Sequence, residues 1–64
     1  MRLLKRPEVE SKTGLSKSAI YMRMQLGTFP KAVVLSRKAV GWVESEVEQW
    51  IADRIAERDN KAAA

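Results

Sequence analysis

Neither cysteine nor histidine occurs among the 64 residues of this chain. Without cysteine, no disulfide and no thiolate metal site can staple so small a core. Without histidine the commonest general base is missing. The Ser/His and Cys/His nucleophile pairs and imidazole zinc chemistry go with it. Two-carboxylate and lysine mechanisms remain on paper, but a chain this short hardly encloses a pocket of the size small-molecule sites need. The residue types therefore point to a binding protein, not an enzyme, with no cofactor and no metal. Glycine is scarce, at 3 residues, while 45% of the chain is hydrophobic, a balance that argues against disorder. No apolar run approaches the roughly 20 residues that span a bilayer. The basic start, Met1-Arg2-Leu3-Leu4-Lys5-Arg6, lacks the apolar stretch of a secretory signal. The expectation is a cytoplasmic protein without a membrane partner.

What the chain does have is positive charge, unevenly spread. The formal net charge is +4 and the isoelectric point lies near 9.9. Residues 1–43 hold nine Lys and Arg against only Glu8 and Glu10, whereas residues 44–64 carry more acid than base. An anionic partner is implied, and the first two thirds of the chain would meet it.

The pattern of apolar and turn residues divides the chain into short elements. Pro7 and Glu8 suit a first helical turn, and Gly14 a left-handed stop, which predicts a helix from about Pro7 to Thr13. Ser16 is a good N-cap for a second helix, Lys17 to about Leu26, with Ala19, Ile20 and Met24 along one side and Gly27 at its end. Two helices around Gly14-Leu15-Ser16 form a helix-turn-helix. Val33-Val34-Leu35 and Ala39-Val40-Gly41-Trp42 then read as a hairpin with Ser36-Arg37-Lys38 as its polar tip and Pro30 at its entrance. Ser45 and Glu48 resemble a capping box opening a third helix to about Arg58, on which Val47, Trp50, Ile51 and Ile55 form an apolar stripe. Arg54 and Arg58 would then lie near its negative end. The predicted fold is mainly α with a small β-hairpin: a winged helix-turn-helix over residues 1–60, followed by a frayed tail, 61–64. Its expected core is Leu4, Val9, Leu15, Ile20, Met24, Phe29, Leu35, Val40, Trp42, Val47, Trp50, Ile51 and Ile55.

Several of these segments, in this order and spacing, resemble the AlpA family. They are Leu3-Leu4, Pro7-Glu8-Val9, Thr13-Gly14-Leu15-Ser16-Lys17-Ser18, Ile20-Tyr21, Gly27-Thr28-Phe29-Pro30-Lys31, Ala39-Val40-Gly41-Trp42 and Glu46-Val47-Glu48-Gln49-Trp50-Ile51. That family comprises small phage- and prophage-encoded DNA-binding regulators, related to excisionases and to the DNA-binding half of MerR-type proteins. The resemblance covers about residues 2–58 and implies a protein that binds DNA near promoters or attachment sites.

Independently of the resemblance, the residues nominate a double-stranded DNA surface. In a helix-turn-helix the second helix meets base edges while its flanks hold phosphates. Lys17, Ser18, Tyr21, Met22, Arg23 and Gln25 lie off the Ala19-Ile20-Met24 side of that helix. Arg23 or Lys17 suits guanine, Gln25 adenine, and Met22 a thymine methyl, with Ser18 suited to a phosphate. Arg37 and Lys38 at the hairpin tip, with Lys31 at its base, would reach the backbone or a minor groove. Arg2, Lys5 and Arg6 are further phosphate candidates. The competing reading of these charges is an ordinary solvated surface. Trp42 and Trp50 read as structural.

The expectation is thus a sequence-specific, double-stranded DNA-binding transcriptional regulator of a prophage or mobile element. Self-association on adjacent sites, integrase and RNA polymerase are its candidate partners. Two alternatives remain open: an excisionase bending DNA beside an integrase, and a protein-interaction module docking a partner through its acidic third helix.

Overall fold

The computed structural model describes residues 2–63, with side chains described as far as Asn60. The elements run β1 (Leu3–Leu4), α1 (Arg6–Thr13), α2 (Lys17–Leu26), β2 (Val33–Ser36), β3 (Ala39–Val43) and α3 (Glu44–Ala63). Mainly helical with a hairpin, this is the expected winged helix-turn-helix.

The helix-turn-helix forms where the local chemistry places it. Lys5 precedes α1, and its backbone N–H donates to Glu8 Oε1 at 3.3 Å, so the acidic first turn satisfies one of the free donors at the helix start. Gly14 ends α1 at φ 73°, its N–H donating to Glu10 O. Ser16 caps α2 by accepting from the Ala19 N–H at 3.2 Å. Gly27 stops α2 at φ 75°, and the following Thr28 N–H reaches back to Arg23 O at 2.9 Å, closing a Schellman turn.

One element was not legible in the sequence. Leu3–Leu4 form a strand that pairs antiparallel with β3, Leu3 opposite Val43 and Leu4 opposite Trp42. The sheet order is therefore β1-β3-β2, with the hairpin strand β3 at its centre. Closing this first pair brings Arg2 O to the Glu44 N–H at 2.8 Å. That contact, together with the direct passage from β3 into α3, displaces the expected capping box. Ser45 lies inside the first turn of α3 and is not its N-cap.

Every element except β2 contributes a buried side chain to one core: Leu4, Val9, Ile20, Trp42 and Val47, joined by Phe29 from the α2–β2 connector. Leu15, Met24, Val40, Trp50 and Ile51 pack half-buried around it, as does Ala32, which was not anticipated. Two expected core residues are exposed instead. Leu35 follows an irregularity in the β2 register between Val34 and Ser36 and leans over Gly41, 3.2 Å from where a Cβ on that glycine would stand. This places it on the sheet face opposite Trp42, because successive strand residues alternate. Ile55 is exposed because α3 has by then left the body of the molecule. The helix is continuous to Ala63, so Arg54 and Arg58 sit within it and not at its end. At about 1.5 Å per residue, its length accounts for the elongated shape, 46 × 24 × 19 Å. Residues 61–63 are backbone-helical, and Ala64 lies outside the described residues.

Candidate nucleic-acid interface

Burial divides α2 into two faces. Lys17, Ser18, Tyr21, Met22 and Gln25 are exposed, at positions that share one side of a helix, while Ala19, Ile20, Arg23 and Met24 turn inward. Tyr21 is 38% exposed and meets Trp42 edge-on, with centroids 6.4 Å apart. Its ring is therefore braced by a buried indole while the residue remains exposed. Beside that face, Tyr21, Met24, Gln25, Lys31 and Ala32 line an open cleft of about 330 Å³, so the root of the hairpin lies against the outer half of α2. Arg37 and Lys38 form the turn between Ser36 and Ala39 and are fully exposed. Among the described residues no non-glycine has positive φ, so this is not one of the primed two-residue turns whose twist matches a hairpin. The bulged register of β2 supplies the extra twist.

Arg23 is placed differently from the other sequence candidates. It is half-buried, with its guanidinium 5.8 Å from the Trp50 ring centroid. Arg54 approaches the same ring at 5.2 Å, and its buried Nε has no hydrogen-bond partner among the described residues. A guanidinium stacked on an aromatic face tolerates that, because the ring offers negative charge where a lone pair is missing.

The ion pairs sort the remaining cations. Arg2 binds both Glu8 (2.9 Å) and Glu44 (3.1 Å), Arg6 binds Glu10 (3.0 Å), and Lys12 binds Glu48. On α3, Arg54 binds Glu57 (2.7 Å) and Arg58 binds Asp59 (3.1 Å). The hydrogen bond from Lys12 to Glu48 raises the lysine's pKa above its ordinary 10.5. Each such surface pair stabilises little, about 0–1 kcal/mol. Their effect is to neutralise the sides of the molecule built from β1, α1 and α3. Among the described residues, Lys5, Lys17, Arg23, Lys31, Arg37 and Lys38 have no carboxylate partner. All but Lys5 belong to α2, the connector and the hairpin tip. The cause is visible in the chain, where no acidic residue occurs between Glu10 and Glu44.

Of the three N-terminal candidates, then, Lys5 is exposed and unpaired, while Arg2 and Arg6 are held by carboxylates. Sequence reasoning gives Trp42 and Trp50 a structural role but not what they hold, which is the connector. Trp50 Nε1 donates to Thr28 O at 2.7 Å and Trp42 Nε1 to Pro30 O at 3.1 Å. The need of any buried indole N–H for an acceptor was the available signal.

Comparison with known proteins fits this arrangement. The family model described as prophage CP4-57 regulatory protein (AlpA) matches residues 2–55. The chain belongs to the AlpA family. It is 49% identical over 57 residues to the uncharacterized protein ORF88 of Enterobacteria phage P4, a match covering 89% of this chain and 65% of that protein. It is 37% identical over 60 residues to the DNA-binding transcriptional activator AlpA of Escherichia coli (strain K12), covering 84% of this chain and 86% of that one. Membership accords with the helix-turn-helix and hairpin described above, and the matched span takes in α1, α2, the hairpin and the packed half of α3. Among the described residues no helix is long and apolar enough to cross a membrane.

Proposed function

We propose that this AlpA-family chain is a sequence-specific, double-stranded DNA-binding regulator of transcription in a prophage or related mobile element. In this reading α2 lies in the major groove and presents Lys17, Ser18, Tyr21, Met22 and Gln25 to base edges and flanking phosphates. Lys31, Arg37 and Lys38 hold the backbone or the adjacent minor groove from the hairpin, and Lys5 adds a phosphate contact from the start of α1. Arg23 braces α2 against Trp50 instead of reading a base. The observation that carries the reading is the partition of charge: among the described residues, carboxylates occupy Arg2 beside β1 and the cations of α1 and α3 but leave those of α2, the connector and the hairpin tip free. A single reading helix gives limited discrimination, so copies on adjacent sites would supply the rest of the specificity.

The test is a salt titration of binding to duplex DNA. Five unstacked, unpaired cations at about 0.9 released counterions each predict a slope of log K against log salt of roughly −4.5. Affinity that does not respond to salt on any duplex would overturn the assignment.

A further inference from the structure

Between α2 and β2 runs a connector, residues 27–32, whose path sets how far and at what angle the hairpin stands from the helix. Three successive residues of it are held by two tryptophans that belong to neither flanking element. Thr28 O accepts from Trp50 Nε1 on α3 at 2.7 Å, and Pro30 O accepts from Trp42 Nε1 on β3 at 3.1 Å. Between them Phe29 is buried, its ring edge-on to Trp50 with centroids 5.0 Å apart. Trp50 also takes the Arg23 guanidinium over its ring, and the Arg23 carbonyl is the acceptor that closes the helix end. One indole thus touches the last turns of α2, the Thr28 carbonyl and the connector's buried ring.

We propose that Trp50, with Trp42, is a positioning residue for DNA recognition: it fixes the hairpin relative to α2 so that both engage one duplex in register. The proposal rests on the DNA-binding reading above. Any indole N–H in or beside a core needs an acceptor; what sets these two apart is that both find theirs on the same three-residue stretch of connector, from α3 and from β3. With the Thr28 O bond gone, the cap bonds of Gly27 and Thr28 to Met24 and Arg23 still hold the helix end, so the freedom gained lies in the connector beyond Thr28. The hairpin then loses its phosphates while α2 keeps its own.

The informative variant is Trp50→Phe, which keeps an aromatic ring beside Arg23 and Phe29 and removes the donor to Thr28 O. Its salt slope on duplex DNA is expected to shrink by about two, the share of the two tip cations. Adding Arg37→Ala and Lys38→Ala to it should then shrink the slope no further. Ile51→Val, a half-buried neighbour on α3 that carries no hydrogen-bonding group to offer the connector, serves as the packing control and should retain the parent slope. Residual dipolar couplings of the DNA-free protein read the same clamp directly, because the amide vectors of β2 and β3 should reorient against those of α2 in Trp50→Phe alone. A parent-like slope together with parent-like couplings in Trp50→Phe would overturn the proposal. A parent protein with no salt-dependent DNA binding would overturn the DNA reading instead, and the couplings would still decide the clamp.

Discussion

Replacing Arg37 and Lys38 together by alanine is expected to weaken DNA binding without unfolding the protein. Both side chains are exposed at the hairpin turn, and β2, which leads into it, has no buried residue. Neither makes an ion pair or side-chain hydrogen bond among the described residues, so no apolar burial or polar contact is lost. Exposed substitutions of this kind change stability by about 0.5 kcal/mol or less. For a domain of this size that moves the melting temperature by roughly 2–4 °C. Binding responds on another scale. Removing two phosphate contacts lowers the slope of log K against log salt by about 1.8, from roughly −4.5 to roughly −2.7. Between about 50 and 200 mM salt the parent would lose about 500-fold in affinity and the variant only about 40-fold. Fluorescence anisotropy on a labelled duplex across that range, beside thermal melts followed by circular dichroism, measures both quantities. Parallel salt lines with equal affinity would refute the reasoning, because they would mean that the tip touches no phosphate.

Three further outcomes concern α2 and its end. Gln25→Ala, on the outer face, should relax base preference at one position at a cost of about 1–3 kcal/mol. Arg23→Ala should lower the melting temperature but select the same sequence from randomised duplexes, and a changed motif for Arg23→Ala would return it to the reading face. Gly27→Ala meets no atom within 4 Å, so its cost is backbone strain alone at φ 75°. That strain is about 1–2 kcal/mol and should appear as a drop of several degrees in melting, whereas a neutral result would mean that the cap can relax.

Where local chemistry is sufficient, the sequence was a reliable guide. Ser16 and Gly27 bound α2 at the expected residues because a cap and a left-handed stop act within one turn. The hairpin followed from two β-prone runs around a charged pair. The run without acidic residues from Ser11 to Val43 already concentrated excess positive charge in the helix-turn-helix and hairpin.

Other features depend on contacts between distant segments. A two-residue strand carries no pattern of its own, so β1 exists only because β3 offers it a partner. Its closure onto Glu44 moved the start of α3 and removed the role of Ser45. Leu35 and Ile55 have apolar spacing suited to a core, yet a register irregularity turns one away and the projection of α3 exposes the other. Periodicity identifies a face of an element but not whether anything lies against it. Arg23 illustrates the same limit at the candidate site: its charge and its place on the helix made it a candidate base reader, and only the tertiary structure shows its guanidinium over the Trp50 ring. The sequence by itself determined which residues are cationic, where α1 and α2 stop and where the chain turns, because those properties belong to single residues and their immediate neighbours. Only the tertiary structure decided which cations remain free and how the hairpin stands against α2, because both depend on carboxylates and indoles brought from far along the chain.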